Sequence, residues 1–390
     1  MSKAPRPDPA AVRGSRLPSL TGLRFIAAAM VFLHHGIWVN LFADTGFAGL
    51  YHDLFINAGH VGVSFFFVLS GFVLTMAQRP GDTLRGFWRR RLVKVYPNHV
   101  VGFLVALVVI GQSVQWNQVL PNLLLVHSWV PSYDVLFSAN PPSWSLACEA
   151  FFYFAFPWLA RWIGRIRADR LWWWAGGVVA AVVLVAVAAQ VLLPTTPGMA
   201  DGQPIGLYQF WAVYALPPVR ALDFVLGIVM ARIVLSGRWI AIGPLTAVIA
   251  FVAAYALAMR LPYVYGLDAA TLVPLALIVP AVAAGDLAGK RTVLHSRPAI
   301  WLGEISFAFY LLHVPLLIWL RARLGARLFD TPQALALLLL GLAITVVASW
   351  LLHTLVEQPM MRRFSRPRRT APPAPDAPAP ALAAAHDNGR

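Results

Sequence analysis

Arg24 and His35 stand eleven residues apart in the apolar stretch LTGLRFIAAAMVFLHH, residues 20–35. On a helix that spacing returns to the same face within about 20° and separates the two by ~16 Å along the axis. A charged side chain near the middle of a bilayer costs about 2.5–3.5 kcal/mol, so such groups face a cavity or a partner. The pair therefore makes one wall of a polar pocket, guanidinium towards one membrane face and imidazole towards the other. The plainer alternative is an arginine that snorkels and a histidine that bonds a neighbouring helix. His34 points about 80° away from the shared line. Glu149, with Tyr153 at i+4 on its face, and His313, about 10 Å inside the end of its own apolar stretch, are expected at the depth of His35. Two imidazoles and a carboxylate brought together can take, hold or relay a proton, and an arginine can hold an anion.

The elements that must position these groups are membrane helices. Of the 390 residues 59% are hydrophobic and 12% charged, about half the charged share of a soluble protein. Runs long enough to cross a bilayer recur along the chain, roughly at 20–40, 58–77, 95–111, 145–162, 172–193, 210–234, 240–259, 270–285, 303–320 and 334–355. The expected fold is an all-α integral membrane protein of about ten transmembrane helices. With the N-terminus inside, only Arg260, Arg321, Arg323 and Arg327 fall in outer loops. Arg24 and Arg220 lie in or beside spans, and the remaining basic residues fall inside. That is the positive-inside pattern, with both termini cytoplasmic. The net charge of +15 thus encodes topology, and nucleic acid is not an expected partner. One cysteine, Cys148, excludes an internal disulfide and a cysteine-based metal cluster. No metal site is expected.

Residues 1–17 read as a polar cytoplasmic segment without a cleavage pattern, 18–360 as one membrane domain, and 361–390 as a basic, Pro/Ala-rich cytoplasmic tail expected to be disordered. The outer segment 112–144 is polar and aromatic. Its LPNLLLVHSWV portion is too short to span, so it lies in the interface or dips back in. Gly59, Gly62 and Gly71 suit close helix packing better than a phosphate loop.

Arg24 and His35 also reproduce the R-x10-H signature of the membrane-bound acyltransferase-3 family. GHVGVSFFFVLSGFVLT (59–75), FWRRRLVKVYP (87–97), PPSWSLACEAFFYFAFP (141–157) and ISFAFYLLHVPLL (305–317) resemble that family's other blocks, in order. Thr21 stands where many members have Asp, and Lys94 where Arg is usual. The resemblance implies an O-acyltransferase that moves an acyl group, often acetyl from acetyl-CoA, to a hydroxyl of a sugar, a glycan or an antibiotic. The start LPSLTGLRFIAA resembles members that acylate macrolides in antibiotic biosynthesis. It also implies a bacterial, multi-pass protein of the cell membrane. The arginine-rich, Ala- and Pro-rich composition agrees with a bacterial source.

Under that resemblance His35 is the expected base. Glu149 orients it or holds the acceptor, Tyr153 and His313 donate hydrogen bonds, and Arg24 pairs with the donor's pyrophosphate or an acidic neighbour. The basic patch Arg85, Arg89, Arg90, Arg91 and Lys94 has two readings. Such clusters mark the cytoplasmic side and attract anionic lipid, and arginine also grips phosphate bidentately, as acyl-CoA binding would need. No permanently bound cofactor is expected; acyl-CoA is a co-substrate. Ser64 or Ser70 could act as a nucleophile, although small hydroxyl residues in spans serve packing more often. A rival class is a proton-coupled exporter, with His35, Glu149 and His313 as its relay.

Overall fold

The computed structural model describes residues 17–365, except 79–80, 112–114 and 241. The fold is helical throughout the described residues, with two isolated β-bridges, Phe42 to Phe329 and Gly198 to Gly206. Each of the ten apolar stretches contains a helix, with α2, α5 and α13 as additional elements. Among the described residues, the α-helices longer than four residues are α1 (Pro18–Val39), α2 (Thr45–Phe55), α3 (Ala58–Met76), α4 (Leu84–Ile110), α5 (Trp116–Leu123), α6 (Trp144–Gly164), α7 (Leu171–Leu192), α8 (Pro217–Leu235), α9 (Pro244–Ala258), α10 (Leu272–Leu287), α11 (Arg297–Leu324), α12 (Thr331–Leu352) and α13 (Gln358–Phe364). Six helical segments among the described residues are long and apolar enough to cross a membrane. α9 and α10 are apolar but shorter.

Local chemistry sets the ends. Proline opens α1, α8, α9, α11 and α12, where its missing N–H costs no helical bond. Asp44, Thr83 and Asp330 accept backbone N–H groups at 2.9, 3.1 and 2.9 Å to cap α2, α4 and α12. α4 starts earlier than the apolar run that predicts it, so the basic residues 85–94 lie on its first turns. The stretch expected as one span over 210–234 is broken. A wide turn over Trp211–Ala215 precedes Pro217, and α8 starts only there, because the Pro217–Pro218 pair cannot continue a helix from the preceding residues. α13 runs to Phe364, past the expected domain boundary at 360. The N-terminal segment 1–16 and the tail from 366 lie outside the described residues.

α3 forms the axis of the bundle, buried on nearly all sides. It packs along α8 and α1, while α1 packs along α11. Glycine makes these approaches possible. A Cβ on Gly71 would overlap the carbonyl oxygen of Phe224, and one on Gly227 would overlap that of Val68. Gly62 approaches Ala27 O in the same way, at 2.7 Å from an added Cβ. The glycines of the 59–75 block thus serve helix packing.

The outer segment folds back onto the helices. His99 Nε2 donates to Asn122 O at 3.0 Å, and Asn122 Nδ2 donates to Ser138 O at 2.8 Å. Asn140 Nδ2 donates to Leu311 O at 2.9 Å. Pro142, Ser143 and Trp144 are buried as a result, and α6 begins inside the bundle rather than at its rim.

Candidate active site

His35 and His313 meet where α1 packs along α11. His313 Nδ1 lies 2.7 Å from Tyr310 O, and a carbonyl can only accept, so that nitrogen carries the proton. His313 Nε2 is then an acceptor, and its neighbour at 3.1 Å is His35 Nδ1. His35 Nδ1 is also 2.8 Å from Val31 O. Both contacts require an N–H there, which leaves His35 Nε2 with a lone pair and no protein partner among the described residues.

A cavity of about 30 Å3 lies against this histidine. Its walls include His34, His60, Trp38, Tyr214 and Tyr310. His34 does not turn away from the site as its helical angle predicted. It is buried, its ring centroid is 4.9 Å from that of His35 and 5.0 Å from that of His60, and it presses against Gly59. The cavity wraps around α1, so an 80° offset still reaches it. A second cavity, about 250 Å3 and mostly apolar, touches His35 from the α11 side between Trp38 and Arg321.

Glu149 belongs to a different level. It lines a separate cavity of about 40 Å3 with Arg24, Ser145, Ser306 and Tyr310. It accepts from Tyr153 OH at 3.0 Å. The cations whose field it feels are Arg24, Lys94 and Arg91. The depth shared with His35 and His313, expected from counting residues, is therefore corrected. Because α6 starts within the bundle, beside Tyr310, Glu149 falls below the histidines. Tyr310 OH bonds Ser145 Oγ at 2.8 Å and Pro142 O at 3.2 Å, and with Val63 it lines both cavities.

The basic cluster divides. Arg91 and Lys94 turn inward, Arg91 over the rings of Phe87 and Tyr153, and Lys94 within the field of Arg24, Glu149 and Glu357. Arg90 is ion-paired with Asp82, and Arg89 is exposed. Sequence reasoning missed a buried ionic group behind the histidine cavity. Arg220 pairs with Asp223 on its own helix and with Asp268 at 2.7 Å, and donates to Ser64 Oγ at 2.7 Å. The two buried carboxylates were the available signal. Ser64 is thereby engaged as an acceptor. Among the described residues no three metal-ligating side chains are grouped to hold a metal ion.

Residues 17–354 match a family described as an acyltransferase domain. The chain is 42% identical over 385 residues to acyltransferase MdmB of Streptomyces mycarofaciens, covering 93% of this chain and 95% of that one. It is 27% identical over 164 residues to the provisionally named O-acetyltransferase SACOL0978 of Staphylococcus aureus (strain COL), covering 36% of this chain and 24% of that protein. No solved structure matches.

Proposed function

Since this chain belongs to the acyltransferase-3 family and is an O-acyltransferase with helices fit to span a membrane, we propose that it carries an acyl group, acetyl or another short one, from acyl-CoA to a hydroxyl of a sugar, glycan or macrolide. The observation that supports this most directly is the tautomer of His35. Its free Nε2 can take the hydroxyl proton as the oxygen attacks the thioester carbonyl. The C–O bond forms, the C–S bond breaks, and the departing thiolate recovers the proton from His35. His313 Nε2 holds the Nδ1–H of the imidazolium that exists between those steps. His313 is thus an acceptor in this scheme rather than a donor. Direct transfer fits better than a serine intermediate, because neither Ser64 nor Ser70 lines the cavity at His35, and Ser64 Oγ faces the buried Arg220 instead.

Arg91 and Lys94 are the side chains suited to the donor's phosphates, and Arg24 with Glu149 and Tyr153 lies between them and the histidines. We also propose ten spans in a bacterial cell membrane with both termini cytoplasmic; the helices on the ten apolar stretches support the span number, and the distribution of basic residues supports the orientation. No observation favours an exporter.

The test is purified protein in nanodiscs with acetyl-CoA and a macrolide glycoside, followed by mass spectrometry. One acetyl increment on the macrolide and one free thiol per turnover are expected, both lost in His35→Ala. A wild-type protein that leaves every short acyl-CoA intact would overturn the donor assignment.

A further inference from the structure

The cavity at His35 holds about 30 Å3, enough for a hydroxyl and its carbon but not for a sugar ring. The body of any larger acceptor must rest elsewhere. Next to it lies a cavity of about 970 Å3, in the upper range of small-molecule sites. It is lined by the end of α2, the loop from Thr195 to Gln209, and the connection from α9 to Val264. Gln203 lines both cavities. Its Nε2 donates to Asp201 Oδ2 at 2.6 Å, and its Oε1 accepts from Tyr263 OH at 2.7 Å. Tyr263 in turn packs on His60, with ring centroids 5.6 Å apart.

From these relations we infer that the large cavity is the acceptor vestibule, and that Gln203 forms its gate to His35. This rests on the acyl-transfer reading given above. The ligand class follows from the walls. Leu261, Pro262, Ile205 and Val264 offer an apolar bed. Asp53 and Arg260 are of opposite sign, so the lining selects no strong net charge. Asn57 lines the vestibule, is 3% exposed, and its Oδ1 is buried without a hydrogen-bond partner. An unpaired buried acceptor is costly and calls for a donor. One helical turn further along α3, His60 Nδ1 is likewise unpaired and buried at the wall of the inner cavity. The two polar atoms mark a track along which hydroxyl groups replace missing partners. The occupant is a several-hundred-dalton, largely neutral molecule with an apolar face and several hydroxyls, as in a glycosylated lactone. The apolar cavity beside Arg321 offers no comparable row of polar atoms.

The test is equilibrium binding of a radiolabelled macrolide glycoside to the full chain in nanodiscs, without acyl-CoA. Gly198 lines the vestibule, and a Cβ there meets nothing within 4 Å, so Gly198→Trp starts an indole in open space and narrows the cavity. Asn57→Leu removes the unpaired acceptor at similar volume. Each variant, verified as folded by monodisperse elution, should bind the glycoside at least ten-fold more weakly, and Ile318→Trp in the α11-side cavity should not. Wild-type affinity in both vestibule variants, loss confined to Ile318→Trp, or no binding by the wild type would each overturn the placement. Normal binding with no acyl increment under any acyl-CoA would instead remove the transfer reading and leave the vestibule standing.

Discussion

His313 Nε2 lies 3.1 Å from His35 Nδ1, and this contact decides which nitrogen of His35 is free. Replacing His313 with Phe should remove the acceptor, let His35 switch tautomer, and lower kcat by about 10²-fold, the usual worth of one positioned acid–base group. The KM for acyl-CoA should hardly move. His313→Gln, which restores an oxygen acceptor, should recover part of the loss. Steady-state kinetics on both variants check this, and equal loss in the two would remove the positioning role.

Gly59 keeps the His34 ring in place, since a Cβ there would lie 2.6 Å from its Cγ and Cδ2. Gly59→Ala must push that ring towards His35 and His60. The expected outcome is a lower kcat with donor binding intact, measured by turnover beside labelled acyl-CoA binding.

Arg91 and Lys94 face the cavity side of α4, whereas Arg90 is committed to Asp82. Arg91→Ala and Lys94→Met should therefore raise the KM for acyl-CoA by about ten-fold each, the worth of one charge-assisted contact. Arg90→Ala should raise it less. Identical effects at all three positions would mean a diffuse surface field instead of directed contacts.

Much of this arrangement was legible in the sequence, and the limits have physical causes. Apolar length alone marks where ten helices lie. The spacing of Arg24 and His35 puts both on one side of α1 but not on one pocket wall, because Arg24 lines the Glu149 cavity and His35 the histidine cavity. Residue counting then failed at Glu149. A helix that starts inside the bundle, pulled there by Asn140 and the burial of Trp144, has no rim from which to measure depth. It failed at His34 because a helical angle states a direction, not what surrounds the helix. Asp268, 48 residues beyond Arg220, becomes its partner only through tertiary folding.

That buried group yields a further expectation. Arg220→Met would strand the Asp223 and Asp268 carboxylates without their cation, at about 3–5 kcal/mol. Thermal unfolding in detergent should fall accordingly. Combining it with Asp223→Asn and Asp268→Asn should recover much of the loss, since no charge is then left unpaired.

The approach of α3 to α8 permits no side chain at Gly71 or Gly227. Gly227→Val should separate the two helices at about 3 kcal/mol or more, seen as a lower unfolding temperature together with weaker acceptor turnover. A variant as stable as the wild type would show that the helices can slide.

Tyr310 and Val63 line the histidine cavity on one side and the Arg24–Glu149 cavity on the other. These two side chains form the septum between the two hollows. If the protein spans the membrane as proposed and the hollows admit reactants from opposite sides, it faces a problem foreign to soluble transferases, since such a chamber can become a leak for protons. A phenol held by Ser145 and Pro142 is then the element that closes that path, and under the proposed function the ring that a donor's arm must pass would also guard the membrane's electrical insulation.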